Sequence, residues 1–276
     1  MRTAVFIPTW NVGPAVIGAL ERLPVAFARA CAEVFVVDNA STDATVPELC
    51  ARLRRGFPFP VTVFRNSRNI GYGGSQKVAY AHALRGGYDC VVMLHGDGQY
   101  PAEHIPRLVT ALEKRGAGMV YGSRMLGSAI ADETPWFRRL GVRGLSWLQN
   151  IGSGLHLKEW FSGFRAFRCE ALRAVPFQAC ADDYYFDVQI IQLLALAGYT
   201  LADIPVPKSY KDNKSPVNIY QFGVQVLSRF LGYPLARQEL VSDPLYQPSR
   251  WPVLRLVPAP EPCQVYPERA ALRAAA

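Results

Sequence analysis

Apolar positions in the first two hundred residues fall into short unbroken runs separated by segments of helical period. The runs at Ala4–Ile7, Val34–Val37, Val61–Arg65, Val91–Leu94, Met119–Gly122 and Leu201–Val206 predict strands. They are continuous rather than alternating, as expected of strands buried on both faces. Helices are predicted between them, over Pro14 to about Leu23, Ala44 to Arg54, Gly73 to Leu84, Glu103 to Lys114 and Tyr185 to Ala197. Pro14 suits a first helical turn, and Ser41, Thr42 and Asp43 offer caps ahead of Ala44. This strand–helix rhythm predicts an α/β fold, a Rossmann-like, mainly parallel sheet flanked by helices. There is no internal repeat.

The pattern changes at Pro135. Trp136, Phe137, Leu140, Val142, Leu145, Trp147 and Leu148 are interleaved with arginines. A second amphiphilic stretch, 217–235, is broken by Asn218, Gln221, Gln225, Ser228 and Arg229. Such a segment is too polar to span a bilayer and suited to lying on one. Beyond Val241 the chain is rich in proline and has little periodicity, which predicts a loosely held tail. The expected organisation is one catalytic domain over 1–212, including an acceptor-side segment 135–168, then an amphiphilic helix over 213–240 and a tail over 241–276.

Composition adds location and partners. Half of the 276 residues are hydrophobic and 19% are charged, which describes a folded chain with a core. The net charge of +8 is concentrated. Segment 135–168 carries Arg138, Arg139, Arg143, Lys158, Arg165 and Arg168 against Glu159. Segment 208–237 carries Lys208, Lys211, Lys214, Arg229 and Arg237 against Asp212. Local basic excess points to an anionic partner. The basic clusters are mixed with large apolar groups and carry no nucleic-acid-binding motif, so nucleic acid is not the expected partner. Six scattered cysteines without a C-x-x-C pair read as thiols in a reducing compartment. No secretory leader or spanning segment is expected.

The richest chemistry lies in Val91-Val92-Met93-Leu94-His95-Gly96-Asp97-Gly98-Gln99-Tyr100-Pro101. A buried strand ends in a turn with His95, Asp97 and Gln99 at alternate positions. In extended chain these project to one side, at the end of a strand where α/β sheets bind ligands. An imidazole, a carboxylate and an amide oxygen make a partial shell for a divalent cation that also carries phosphate and water. A tight turn built on Gly96, Gly98 and Pro101 is the plainer reading of the same loop.

This loop is one of five motifs in order. Ile7-Pro8-Thr9-Trp10-Asn11 follows the first strand and Val36-Val37-Asp38-Asn39-Ala40-Ser41-Thr42-Asp43 the second. His95–Gln99 comes next, then Gly122-Ser123-Arg124 and Ser162-Gly163-Phe164-Arg165. Over residues 3–235 the series resembles the family 2 glycosyltransferases of the GT-A fold, and within them the bacterial relatives of dolichyl- and polyprenyl-phosphate sugar synthases. The resemblance implies a nucleotide-diphosphate-sugar donor, GDP- or UDP-linked, and a Mg2+ or Mn2+ cofactor. It places Pro8, Thr9, Trp10, Asp38, Gly96, Arg124 and Lys211 on the donor, with Asp97, Gln99 and His95 at the cation. His95 stands where the family usually has a first Asp; a neutral imidazole there favours Mn2+ over Mg2+, or faces the donor without touching the cation. Ser162, Gly163 and Arg165 match an acceptor-side loop, in which Arg165 holds a phosphate or serves the structure.

Asp97, Arg124 and Asp183 are the expected catalytic residues. Asp182 and Asp187 are the other acids near the position of a catalytic base, and capping is the alternative role for Asp182 or Asp183. A sugar hydroxyl needs such a base, whereas a lipid phosphate is already ionised. The expected activity is an inverting transfer of a hexose to a polyprenyl phosphate, by a cytoplasmic protein held peripherally at the inner face of an anionic membrane. A transferase acting on a soluble sugar or glycan and a non-catalytic nucleotide-sugar binder are the alternatives. A nucleotidyltransferase is disfavoured, because Thr9-Trp10-Asn11-Val12-Gly13-Pro14 lacks a basic, glycine-rich phosphate loop.

Overall fold

All six predicted strands form, and two more join them. The computed structural model describes residues 1–126, 136–207, 219–251, 256 and 262–266. Its strands are β1 (Thr3–Thr9), β2 (Glu33–Asp38), β3 (Val61–Arg65), β4 (Cys90–Met93), β5 (Met119–Ser123), β6 (Arg165–Arg168), β7 (Leu201–Pro205) and β8 (Pro262–Tyr266). They make one sheet in the order β7-β5-β6-β4-β1-β2-β3-β8. The pairs of β1 with β2 and β4, of β2 with β3, and of β5 with β7 are parallel. β6 runs antiparallel between β4 and β5, and β8 runs antiparallel along β3.

Alternate residues of the central strands feed two cores. Phe6 sits opposite Phe35 on one side and Met93 on the other, and these three belong to one face of the sheet. Val5, Ile7, Val36 and Val92 belong to the other. The first face is covered by α4 (Gly71–Arg85), α7 (Cys169–Arg173) and α8 (Phe186–Leu196), through residues such as Tyr80, Leu172 and Ile191. The second is covered by α1 (Ala15–Glu21), α3 (Thr45–Arg54) and α5 (Ile105–Arg115), through Leu20, Leu49 and Leu108, with Ala28 of α2 (Val25–Ala30) beside them. Burial on both faces is why the strands read as apolar runs.

The second half departs from expectation in three places. β6 was hidden because its four residues, Arg-Ala-Phe-Arg, begin and end in arginine. The Trp- and Arg-rich segment is a single helix, α6 (Trp136–Ser153). The amphiphilic stretch is two helices, α9 (Ile219–Arg229) and α10 (Gly232–Arg237). No helix among the described residues is long and apolar enough to cross a membrane.

Some of the described residues of the proline-rich end pack on the fold. Tyr246 is buried and meets Tyr233 edge-on at 5.2 Å, and Trp251 Nε1 donates to the carbonyl of Leu245 at 2.9 Å. β8 occupies the hydrogen-bonding edge of β3. Large aromatic rings and an open sheet edge bind chain that carries no periodic signal.

Candidate active site

β1 lies between β2 and β4, so the connections on its two sides leave in opposite directions. A crevice opens at the carboxyl ends of strands at such a point. Here it is a cleft of about 710 Å³.

The loops after β1 and β2 form one wall by clamping each other. Asn11 has a left-handed backbone (φ 50°). Its N–H donates to Ser41 Oγ at 2.9 Å, and its Oδ1 accepts from the Thr42 N–H at 2.8 Å. Thr45 Oγ1 accepts from the N–H groups of Val12 and Gly13 at 3.0 and 2.8 Å. Pro8, Thr9 and Trp10 are thereby fixed along the cleft. Asp38 is not on this wall. Its buried carboxylate accepts from the Ser41 N–H at 3.1 Å and pairs with Arg65 Nε at 3.3 Å. The expected donor contact of Asp38 is therefore corrected to a turn and ion-pair role. The adjacent Asn39 faces the cleft instead. Its amide donates to Asn69 Oδ1 at 2.8 Å, and its Oδ1 accepts from the Ile70 N–H at 3.0 Å, tying β2 to the start of α4.

The amino terminus of α4 packs directly on the loop that carries Asp183. The Asp182 carbonyl accepts from the Gly73 N–H at 2.7 Å. Gly71 has φ +81°, and a Cβ there would stand 2.2 Å from the Asp182 carbonyl oxygen, so only glycine permits this approach. Lys77 Nζ adds an ion pair to Asp182 Oδ1 at 2.6 Å and a hydrogen bond to the Cys180 carbonyl. Asp182 therefore anchors the loop, and Asp183 and Tyr184 line the cleft.

The loop after β4 brings His95, Gly96, Asp97 and Gln99 to the cleft. Asp97 Oδ1 accepts from the Gln99 N–H at 3.0 Å. Gly96 lets the loop lie against β1: a Cβ would stand 2.5 Å from Thr9 Cγ2. The ring of His95 turns toward Tyr72 and Gly163. Its Nε2 is 3.2 Å from the Tyr72 hydroxyl, and a Cβ on Gly163 would stand 2.2 Å from the same nitrogen. Tyr72 in turn donates to Asp187 Oδ2 at 3.1 Å. Burial, and next the charge of Asp187, push the Tyr72 hydroxyl well above the usual tyrosine range. Tyr184, its ring centroid 4.8 Å from that of Tyr72 and tilted by 31°, is also raised, by burial and then by the charges of Asp97 and Asp187.

The remaining predicted residues divide. Arg124 lies on the cleft wall, its Nε 2.7 Å from Oε1 of buried Glu159. Gly163 lies there too, but Ser162 and Arg165 do not. Ser162 Oγ donates to the Gly122 carbonyl at 2.5 Å. Arg165 is 1% exposed, and its guanidinium donates to the carbonyls of Ser162 (2.6 Å) and Trp160 (3.1 Å) and pairs with Asp187 at 3.2 Å. Of the two roles open to Arg165, these contacts fit the structural one: it braces the loop from behind. Lys211 lies outside the described residues. Asp183 accepts from Gln225 Nε2 at 2.5 Å and pairs with Arg229 at 3.3 Å.

Tyr72, Asn69 and Phe222 also line the cleft, as do Phe137, Val142 and Leu145 of α6. Sequence reasoning named none of them as site residues. The aromatic stretches were the available signal, but they read as surface.

Among the described residues no group of three His, Cys, Asp or Glu side chains can enclose a metal ion. A divalent cation would therefore rest on Asp97 with few protein ligands and take its other oxygens from diphosphate and water, which suits a cation that arrives with a nucleotide. Unbridged thiols offer no alternative centre. Burial pushes Cys31, Cys169 and Cys180 each up to about 12.

Sheet order and cleft define a GT-A fold, the architecture of nucleotide-diphospho-sugar transferases. The chain belongs to glycosyl transferase family 2, whose model matches residues 4–178. It is 30% identical over 212 residues to the undecaprenyl-phosphate mannosyltransferase of Micrococcus luteus, covering 75% of this chain and 83% of that one. It is 28% identical over 211 residues to the polyprenol monophosphomannose synthase of Mycolicibacterium smegmatis, covering 74% and 76%. Among solved structures it resembles glucosyl-3-phosphoglycerate synthase from Mycobacterium tuberculosis, in complex with Mn2+, UDP and phosphoglyceric acid. The TM-score is 0.62 at 17% identity, over 88% of this chain and 80% of that one.

Proposed function

We propose that this protein is an inverting glycosyltransferase that moves a hexose from a nucleotide-diphosphate sugar to a polyprenyl phosphate at a membrane surface. One observation carries the acceptor: the cleft wall toward α6 and α9 is lined by large apolar side chains, whereas amides and hydroxyls enter the wall toward β1, β2 and α4. Around β1, β2 and α4 its wall sets Thr9, Asn39, Asn69 and Ser75 among Pro8, Trp10, Val12 and Tyr72. Toward α6 and α9 it is Phe137, Val142, Leu145, Phe161 and Phe222, with Phe161 and Phe222 in edge contact at 5.4 Å. A nucleotide suits the first side and an isoprenoid chain the second. The neighbouring stripe of α6 is exposed and apolar, with Trp136 73% and Trp147 64% exposed, and Val224, Leu227 and Leu231 extend it from α9 to the following turn. Aromatic residues beside arginine favour the membrane interface, where the lipid acceptor resides. The names of the two relatives above support the same acceptor.

The chemistry follows from the charges. An oxygen of the lipid phosphate attacks the anomeric carbon as its bond to the nucleoside diphosphate breaks on the opposite face, so configuration inverts. Negative charge grows on the departing diphosphate. A divalent cation at Asp97, when bound, neutralises that charge. Arg124 adds a fixed guanidinium on the same wall. The acceptor is ionised at neutral pH, so no residue has to remove a proton. Asp183, engaged by Gln225 and Arg229, then orders the acceptor side instead of acting as a base.

The test is a screen of GDP- and UDP-sugars with short prenyl phosphates and Mn2+ or Mg2+, read as nucleoside diphosphate release and glycolipid formation. Transfer to prenyl phosphate, abolished by Asp97→Ala, is the expected result. Transfer only to soluble glycosides, or unchanged turnover in Asp97→Ala, overturns the reading.

A further inference from the structure

Glu159 is the single acid in the basic stretch 135–168, and the fold buries it between α6 and β6. Its Oε2 accepts from the Arg124 N–H at 3.0 Å and from the Ser123 hydroxyl at 3.5 Å. Its Oε1 pairs with Arg124 Nε at 2.7 Å. One carboxylate thus grips both the main chain and the side chain of Arg124. Nε and Oε1 are sealed from solvent, so water does little to screen their attraction. Ser123 Oγ also accepts from the Met125 N–H at 3.1 Å, which closes the turn after β5 around the same carboxylate. Glu159 is itself held by α6. On one side of it, Leu157 exchanges two hydrogen bonds with the Asn150 amide, at 2.9 and 3.1 Å. On the other, the main-chain N–H of buried Trp160 donates to Ser146 Oγ at 3.2 Å and its ring N–H to Asn150 Oδ1 at 2.8 Å.

We infer that Glu159 is a positioning residue for sugar transfer, fixing Arg124 on the cleft wall before the diphosphate departs. The inference rests on the glycosyltransferase reading above, in which Arg124 lies beside that leaving group. Arg124 lines the cleft, and its side chain is only 10% exposed. An arginine on its flexible stem would have to be ordered in every cycle. One held in advance needs no rearrangement as negative charge develops, which is where fixed donors act best. A buried ion pair adds little net stability, so the contribution of Glu159 is the geometry it imposes. Its hold also ties the wall to α6, because Ser146 and Asn150 of that helix clamp the residues around it.

The test is a double-mutant cycle on the full chain, with Glu159→Gln, Arg124→Ala and the two combined. Glu159→Gln keeps the shape and an oxygen for the Arg124 N–H, and removes the charge. Two quantities are measured: steady-state sugar transfer, and the affinity for UDP and for GDP with Mn2+ by calorimetry. A free nucleoside diphosphate carries the charge that the leaving group acquires. Glu159→Gln should lower kcat by at least about tenfold, the scale of a small misplacement, and weaken nucleoside diphosphate binding alongside. The KM for nucleotide sugar should stay within about twofold, because the lost interaction grows toward the transition state. With Arg124 already alanine, the same change should cost less than about twofold in either quantity. Glu159→Asp, which draws the charge back by one methylene, enters the cycle if Glu159→Gln folds poorly. An equal loss in both backgrounds marks a merely structural residue and overturns the inference alone. Full activity in a folded Glu159→Gln does the same. Failure of the wild type to bind either nucleotide overturns the donor reading and this inference with it. Binding with transfer only to soluble glycosides overturns the lipid acceptor, and the cycle on nucleotide affinity still decides the role of Glu159.

Discussion

Asp183 Oδ2 accepts a hydrogen bond from Gln225 Nε2 at 2.5 Å, and this bond joins the wall of the cleft to α9. Arg229, one turn on, reaches the same oxygen at 3.3 Å, and Phe222, one turn back, lines the cleft. Val224 and Leu227 of the same helix are exposed. One face of α9 therefore belongs to the site and the other to its surroundings.

Cutting both links should slow the reaction without unfolding the protein. The Arg229–Asp183 pair is exposed and contributes little to stability. Loss of hydrogen bonds to a charged group, about 1.5–3 kcal/mol, corresponds to at least about a tenfold fall in turnover on prenyl phosphate. Gln225→Ala with Arg229→Ala should show this in steady-state kinetics, while nucleotide-sugar affinity stays within about twofold.

Charge on the outer face should weaken membrane attachment. Burying a large apolar side chain is worth about 1.5–3 kcal/mol. Trp147→Glu with Leu227→Glu should sharply reduce co-flotation with anionic vesicles and leave the far-ultraviolet circular dichroism unchanged.

Gly71→Ala should destabilise the protein by more than about 1 kcal/mol, because both the positive φ and the contact with the Asp182 carbonyl forbid a Cβ. A lowered urea midpoint at unchanged slope is the expected signature.

Acid sensitivity should trace to a carboxylate far from the cleft. Burial alone would raise Glu33, but hydrogen bonds from His82 and Tyr88, the charge of His82, and a hydrogen bond from Thr62 hold it below its ordinary value of 4.5. A carboxyl lowered in the folded state contributes stability above its unfolded value, and loses it as pH falls through the folded one. Glu33→Gln should therefore be less stable at neutral pH and show a shallower loss below about pH 4.5, measured by urea unfolding across the acid range.

The strands and the motifs after them were legible because both follow from local pattern. An unbroken apolar run marks a doubly covered strand, and Thr9, Asp97 and Arg124 each stand just past one. Arg165 kept two readings because its role depends on β6, a strand too short and too basic to signal itself. Asp38 was misread because its neighbour Asn39, not Asp38, turns toward the cleft. Tyr72 and Asp187 meet across 115 residues, and no periodicity reports a hydrogen bond of that span. The apolar side of the cleft was visible as greasy sequence, but only the packing of α6 and α9 shows which stripe faces inward.

The antiparallel β6 gives the sheet an order of assembly on the ribosome. Residues 3–93 can pair as β3-β2-β1-β4 as soon as they emerge. β5 is made next but has no neighbour to join, because its place is beside a strand still to be translated. Until Arg165–Arg168 emerges, the apolar Met119-Val120-Tyr121 has no sheet to bury it, a state prone to aggregation. The wall around Thr9 and Asn39 can thus exist on a nascent chain before the wall around Gly163 and Asp183. A pause in synthesis between these segments would leave a half-built enzyme in need of a chaperone.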